Sequence, residues 1–106
     1  MTDRLQELSD IGVSIWLYDL DRSRLTTGGL QRLTQQDHVV GVTTNPSIFS
    51  KAISAGADAY ATQVATLAAG QADSDFAVRE MTTQDVRDAC DVMAGIATRT
   101  DGVDGR

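Results

Sequence analysis

The segment 39–49 constrains the fold of this chain more than any other stretch, because it joins the pattern of a buried strand to the start of a helix. Residues 39–42 are three valines and a glycine, as expected for a parallel strand covered on both faces, with Gly41 allowing another group to approach closely. Pro46 ends the run, since proline favours extended geometry before it and fits the first turn of a helix. The carboxyl end of this strand, where α/β folds bind ligands, is therefore predicted to carry Thr43, Thr44 and Asn45.

Several short motifs occur in the same order as in one enzyme family. Residues 43–49, with the predicted strand before them and Lys51–Ile53 after them, resemble the second strand and following turn of the transaldolases, aldol-transfer enzymes with a Schiff-base lysine. The other matching segments are Gly12–Leu17, Arg24–Leu25 with Gly29–Leu30, Asp58–Tyr60 and Asp101–Arg106. Together they cover nearly the whole chain and resemble the actinobacterial form of the enzyme most closely.

The resemblance implies a (β/α)₈ TIM barrel in the pentose phosphate pathway. The implied reaction transfers a dihydroxyacetone unit from sedoheptulose 7-phosphate to glyceraldehyde 3-phosphate, so that sugar phosphates are the expected ligands of the complete enzyme. A lysine attacks the ketose carbonyl, and carboxylates and an asparagine at the strand ends move protons and hold hydroxyl groups. Neither a metal nor an organic cofactor is implied.

The order of predicted strands and helices also favours the opening of such a barrel. We predict an α/β fold, an incomplete (β/α)₈ TIM barrel with its first two βα units plus additional helices. A complete barrel needs about 250 residues, whereas this chain has 106. Residues 1–106 are therefore predicted to be an N-terminal part of a single barrel domain, as a truncated product, part of a split protein or a wrongly assigned reading frame.

Apolar periodicity and capping residues predict the individual elements. The predicted strands cover 13–18 and 39–42, and the predicted helices cover 3–10, the second part of 21–36, 46–54, 57–69 and 73–80. A last helix is expected to begin at Thr82 or Thr83. Its predicted apolar face consists of Val86, Cys90, Val92, Met93 and Ile96. The tail 100–106 is predicted to be a polar turn that feeds a new strand.

Asn45 is the first candidate for a substrate contact, because its amide offers both a donor and an acceptor at a strand end. The resemblance implies the same role, since the asparagine of this motif contacts the substrate-derived intermediate. Thr44 beside it is a second candidate. The alternative is that Asn45 forms an Asx turn or caps the next helix, and that the threonines satisfy backbone groups.

The first predicted strand departs from the family pattern. Tyr18 stands at the position of the aspartate that assists proton transfer, and Asp19 matches the residue next to it. A phenol with a reference pKa of about 10 cannot act as a carboxylate base at neutral pH. Asp19 is therefore the candidate acid/base group, although strand alternation turns it to the opposite face unless the register slips by one residue. Its alternative is a solvated loop or helix-capping carboxylate.

Lys51 is the only lysine in the chain. A nucleophilic amine needs desolvation or a nearby cation to lower its pKa, whereas Lys51 falls in the predicted helix after Pro46 and is expected to be a surface charge. The family's reactive lysine lies on a later strand. We therefore predict that the chain holds no Schiff-base lysine and is inactive alone.

Other conspicuous side chains are assigned structural roles. His38 lies at the end of its strand opposite the chemistry, Trp16 is expected in the barrel wall or core, and Cys90, the only cysteine, is expected to be a buried thiol. Three aspartates recur on the last predicted helix without histidine or cysteine, and a solvated face explains them better than a metal site. They are Asp85, Asp88 and Asp91.

Composition excludes several other classes of function. Nine basic and fifteen acidic residues give a net charge of −6, which argues against binding to nucleic acid or an anionic membrane. The single cysteine allows no internal disulfide, and no stretch is apolar enough for a signal peptide or a membrane span. We expect a cytoplasmic protein.

Three hypotheses remain. The first is part of a transaldolase-like enzyme. The second is a non-catalytic subunit that pairs through open sheet edges with a separately encoded remainder, or with itself. The third is a phosphate-binding fragment that uses the helix after Asn45, because helix N-termini attract anions.

Overall fold

The computed structural model describes residues 3–45, Ser47, Ser50, Lys51, Ile53 and 57–106. Its described strands are β1 (Ile15–Leu17) and β2 (Val39–Val42). Its described helices are α1 (Arg4–Asp10), α2 (Arg22–Thr26), α3 (Gly29–Gln36), α4 (Ala57–Ala69) and α5 (Ser74–Arg99). Four residues of the predicted helix 46–54 have helical backbone, and the rest of that prediction lies outside the described residues.

The two strands pair in parallel, with Leu17 opposite Val42. The tail then lies along the other edge of β2, where Gly105 N donates to Val40 O at 2.7 Å and Val42 N donates to Arg106 O at 2.7 Å. The prediction that 100–106 is a turn leading towards a strand is therefore confirmed as far as these two hydrogen bonds extend.

The hydrophobic core lies between the sheet and the helices. Its buried members come from the loop after β1, from α3, from β2 and from α5, and Leu17 and Val42 pack against them. They are Leu20, Leu30, Val39, Ala89, Met93 and Ile96. Burying such side chains is the main favourable contribution to the folding of this small sheet.

Trp16 lies across Gly41 on the face of the sheet opposite Leu17. A Cβ built on Gly41 would lie only 2.5 Å from the indole Cε2, so the predicted close approach at this glycine is confirmed. The prediction that Trp16 fills the barrel wall or core is wrong for this chain, because the residue is 44% exposed. The missing side chain at Gly41 gives the indole room to lie against the backbone of β2.

The last helix begins earlier than predicted. Asp73 Oδ1 accepts a hydrogen bond from Phe76 N at 2.8 Å and caps α5, so that the predicted helix 73–80 and the predicted last helix are continuous. Thr82 does not cap a helix. Its hydroxyl donates to Val78 O at 2.9 Å inside α5, which is how a threonine satisfies its hydroxyl within a helix.

The buried face of α5 is also rotated from the predicted one. It carries Met81, Asp85, Ala89, Met93 and Ile96, at spacings of three and four residues. Val86 is 37% exposed and Cys90 is exposed, because each follows a core residue by one position and so lies about 100° around the helix. The predictions of a buried Cys90 thiol and a solvated Asp85 are therefore wrong.

The remaining elements follow the sequence more closely. Asp3 Oδ1 caps α1 by accepting from Leu5 N and Gln6 N, at 3.0 and 3.1 Å. α4 has the predicted bounds, whereas α2 is a short helix where only a turn was expected. His38 lies at the amino end of β2, its Nε2 3.5 Å from Asp3 Oδ2. None of the described helices is both long and apolar enough to cross a membrane.

Replacing Gly105 with alanine is expected to detach the tail from β2. Gly105 has a φ of +83°, and a Cβ built there would lie 2.6 Å from Ala97 N and 2.9 Å from Met93 O. Since both contacts are with helix backbone, the tail has to move, at a cost of about 1–3 kcal/mol. Hydrogen exchange of the Val42 amide should then accelerate by about tenfold or more.

Gly95→Ala is the matched control. A Cβ at Gly95 meets nothing within 4 Å, and in a helix interior the change is expected to stabilise the protein by about 0.5–1 kcal/mol. The Val42 amide should exchange at the wild-type rate in this variant. Wild-type exchange of that amide in Gly105→Ala as well would contradict the clash.

Candidate functional site

The sequence-predicted site residues lie at the carboxyl ends of two neighbouring strands. Thr43 N donates to Leu17 O at 2.9 Å and so joins the ends of β1 and β2. Beyond this hydrogen bond, the chain continues on one side into Tyr18 and Asp19 and on the other into Thr44 and Asn45. We call these last four residues the rim residues.

Asn45 is exposed, and its side-chain amide makes a local hydrogen bond. Its Oδ1 accepts a hydrogen bond from Ser47 N at 2.8 Å, so the predicted Asx-type contact is present. This contact occupies the amide oxygen and leaves the amide nitrogen to act as a donor. The Asx contact and a ligand contact are therefore compatible, because they use different atoms of the same side chain.

A cleft of about 480 Å³ separates the rim from the first half of α5. Its described lining includes two rim residues and five residues of the helix: Thr44, Asn45, Val78, Thr82, Thr83, Val86 and Arg87. The cleft combines an apolar wall with hydroxyl, amide and guanidinium groups, a mixture suited to a small polar or anionic ligand. Its volume is in the range of small-molecule sites.

Asp19 is held by Arg24. Arg24 Nη2 lies 2.9 Å from Asp19 Oδ2, and Arg24 Nε donates to Asp19 O at 3.2 Å. The carboxylate is therefore turned towards α2, while Tyr18 is 70% exposed. Asp21 caps α2, through its contact with Arg24 N at 3.0 Å, so the capping role considered for Asp19 belongs to Asp21.

The second carboxylate oxygen of Asp19 has a different environment. Oδ1 is shielded from solvent and has no hydrogen-bond partner among the described residues. A shielded acceptor without a donor is unfavourable and calls for an explanation, of which a catalytic role is one and a bound water another. A donor that reached Oδ1, from water or a ligand hydroxyl, would remove that penalty.

A buried polar network behind the rim was missed by sequence reasoning. Arg22 Nε donates to Asp85 Oδ1 at 2.8 Å, and Tyr60 OH donates to Asp85 Oδ2 at 2.6 Å. The Tyr60 hydroxyl in turn accepts from Arg22 N at 3.1 Å. We call Arg22, Tyr60 and Asp85 the Arg22 network. One sequence pattern could have revealed this network. Met81, Asp85 and Ala89 recur every four residues, which places Asp85 on the same helix face as two apolar residues.

The Arg22 network is almost completely enclosed. Asp85 is 0% exposed and Tyr60 is 2% exposed. Burial, followed by the hydrogen bond to the Asp85 carboxylate, raises the pKa of Tyr60 far above its ordinary value. The hydroxyl therefore keeps its proton at neutral pH and acts as a donor to Asp85.

The other candidate residues lie outside this arrangement. Lys51, a described residue, is exposed. Within the described ranges, no group of three or more histidine, cysteine, aspartate or glutamate residues is placed to hold a metal ion. His38, at the other end of β2, is paired with Asp3.

Comparison with known proteins adds independent information. The protein-family model described as Transaldolase/Fructose-6-phosphate aldolase matches residues 15–106. Over 106 residues the chain is 58% identical to the Transaldolase of Kocuria rhizophila and 59% identical to that of Renibacterium salmoninarum. It is 57% identical to Transaldolase 2 of Streptomyces avermitilis. Each alignment covers 100% of this chain but only 28% of the relative's length.

Proposed function

Because this chain belongs to the transaldolase/fructose-6-phosphate aldolase family, we propose that it provides part of a sugar-phosphate site in which Asn45 holds the substrate and Asp19 transfers protons. The resemblance predicted from its motifs is confirmed. Membership implies the TIM-barrel fold, and the parallel β1–β2 sheet with its helices is consistent with part of such a barrel.

In this proposal the chain supplies the first two βα units of the barrel. Support comes from the parallel pairing of β1 and β2 and from the tail that lines up on the free edge of β2. The site then lies at the carboxyl ends of the strands, where TIM barrels carry their chemistry. The rim residues occupy that end.

The proposed reaction of the complete protein is transfer of a dihydroxyacetone unit between sedoheptulose 7-phosphate and glyceraldehyde 3-phosphate through a Schiff-base lysine. The observation that carries the proposal is the placement of Asn45, directly after β2 and on the wall of the 480 Å³ cleft. Its amide nitrogen would donate to a substrate oxygen, and Thr44 lies beside it. Asp19 Oδ1 would accept a proton from a substrate hydroxyl or water.

The lysine of this reaction has to come from another part of a complete protein. Lys51 is exposed, whereas a Schiff-base lysine is activated by desolvation or by a nearby cation. We therefore propose that the 106 residues alone bind but do not covalently activate a ketose.

A second candidate function is a non-catalytic subunit that pairs with a separately encoded remainder. The observation that favours it is the incomplete cover of the sheet. Parallel sheets are normally buried on both faces, whereas Trp16 on the face opposite the helices is 44% exposed. A partner that carries the following strands and the lysine would cover this face.

Borohydride trapping with fructose 6-phosphate is expected to give no adduct on this chain, because no amine is activated. The same experiment on a chimera, in which this chain replaces the matching 28% of the Kocuria rhizophila relative, is expected to give an adduct on a lysine of that relative. Asn45→Ala should lower the rate of adduct formation in the chimera by about 10²–10³-fold, the range for loss of one preorganised oxyanion-hole donor. Intact-protein mass spectrometry measures each adduct.

Two controls accompany the trapping experiment. Thr62→Ala changes an exposed position on α4 and should leave adduct formation in the chimera unchanged. Lys51→Arg tests the isolated chain. An adduct on the isolated chain that disappears in Lys51→Arg would refute the statement that Lys51 is unreactive, and an undiminished adduct in Asn45→Ala would refute the role of Asn45.

A further inference from the structure

We propose that the Arg22 network is a positioning device, which holds the loop 18–21, and with it the Asp19 carboxylate, at the rim. Among the described residues, no hydrogen bond joins the network to Asp19, and no member of the network lines the cleft. The network therefore acts through α2. That the position of the Asp19 carboxylate matters for catalysis rests on the proposed function. The mechanical link between the network and Asp19 can be tested without it.

The network specifies one arrangement of three elements. Each carboxylate oxygen of Asp85 accepts one hydrogen bond, from Arg22 on α2 and from Tyr60 on α4. The Tyr60 hydroxyl both donates and accepts, and Arg22 Nη2 donates to Met81 O at 3.1 Å. Because these bonds are directional and enclosed, a shift of α2 would leave buried polar atoms without partners.

Stability alone does not account for such a network. Well-packed apolar side chains in place of a buried ion pair often give equal or greater stability. What apolar side chains do not provide is directional control over where a neighbouring segment lies. A buried ion pair at the start of α2 is therefore better explained by the position that it imposes.

α2 has few other means of staying in place. It has five residues, none of them buried, and Leu25 is only partly buried against the core. A helix of this length is not stable by itself in water. Its first residue, Arg22, carries the hydrogen bonds to α4 and α5. The location of α2 therefore depends on the Arg22 network more than on apolar contacts.

α2 transmits this location to Asp19. Arg24, two residues after Arg22, binds both the carbonyl and the carboxylate of Asp19. At the other end of the loop, Leu17 O is fixed by Thr43 N. The loop 18–21 is thus attached to β2 on one side and to the Arg22 network on the other, which sets where Asp19 Oδ1 lies.

The test is hydrogen exchange by NMR on the 106-residue chain, with the Arg24 Nε–H as the reporter. This group donates to Asp19 O at 3.2 Å, and no hydrogen bond among the described residues joins it to the network. In Asp85→Asn its exchange is expected to accelerate by about tenfold or more, together with the Arg24 amide, which donates to Asp21 Oδ1 in the same loop, as the loop opens locally. The amides of Met93 and Ile96 should keep their protection.

Two further variants make the test decisive. Tyr60→Phe removes one hydroxyl and is expected to give a smaller acceleration at the same reporters; it decides the matter if Asp85→Asn does not fold. Asp91→Asn changes an exposed aspartate on the same helix and should have no effect. Wild-type exchange of Arg24 Nε–H in Tyr60→Phe and in any folded Asp85→Asn would overturn the proposal.

A uniform acceleration of all amides would also overturn it, because the network would then be a general stabiliser with no particular hold on the loop. No substrate is present in this measurement. A failed trapping experiment would therefore count against the proposed function and leave the link between Asp85 and Asp19 standing.

Discussion

Replacing Asp19 with asparagine in the chimera is expected to lower its turnover number by about 10²–10⁴-fold, the contribution of a positioned acid/base group. Asn keeps the size of the side chain but cannot accept a proton. The neighbouring Tyr18 has no carboxylate to take over the role. Steady-state rates with sedoheptulose 7-phosphate and glyceraldehyde 3-phosphate, measured over a range of pH, give the turnover number and its pH profile.

Asp21→Asn is the matched control for this prediction. Asp21 lies two residues further along the loop, where its Oδ1 accepts from Arg24 N at 3.0 Å and caps α2. Asparagine caps a helix about as well as aspartate, so this variant should keep its activity. The prediction is refuted if Asp19→Asn remains fully active. If Tyr18→Asp then raises the rate, the acid/base group belongs at position 18.

Replacing Asp85 with leucine is expected to lower the free energy of unfolding by about 3–5 kcal/mol, as when one partner of a buried pair is removed. The change leaves the Arg22 guanidinium, whose side chain is 11% exposed, without its carboxylate. It also leaves the Tyr60 hydroxyl without its acceptor. Urea denaturation followed by circular dichroism measures the loss, which is a large part of the stability of a small domain.

Two controls separate the ion pair from the helix that carries it. Asp91→Leu, at an exposed position of α5, should change the unfolding free energy by no more than about 0.5 kcal/mol. The double variant Arg22→Met with Asp85→Leu removes both charges and should recover most of the loss. A loss below about 1 kcal/mol in Asp85→Leu would contradict a buried ion pair.

The double variant also connects stability with position. The double variant could have the unfolding free energy of the wild type while its Arg24 Nε–H exchanges rapidly. In that case the apolar side chains restore the stability that the ion pair supplied, but they do not keep Asp19 in position. That result would show that the role of the Arg22 network is to fix the position of the rim residue Asp19. It would also explain why a charge pair lies in the interior of so small a fold.

The strand end that carries Asn45 could be predicted from the sequence because its signals are local. Three valines and a glycine followed by a proline act on their own backbone and on their immediate neighbours. The same holds for the Asp3 cap of α1 and for the bounds of α4. In each case the residues that determine an element lie within a few positions of that element in the sequence.

The environment of Asp19 was only partly predictable. Its place after β1 follows from the sequence, but β1 ends at Leu17, so strand alternation does not determine the direction of the Asp19 side chain. Its ion pair with Arg24 depends on α2, a helix that the pattern of residues 21–28 did not predict. The exposure of Trp16 likewise depends on which elements cover the sheet, a property of the assembled fold.

The sequence by itself therefore determined the strands, most helix bounds and the rim residues, because turns, caps and β-branched runs act over short separations along the chain. Only the tertiary structure decided which face of α5 is buried and that Asp85 lies inside it. A carboxylate can enter the interior only where donors meet it. Those donors come from Arg22 and Tyr60, which are 63 and 25 positions away in the sequence.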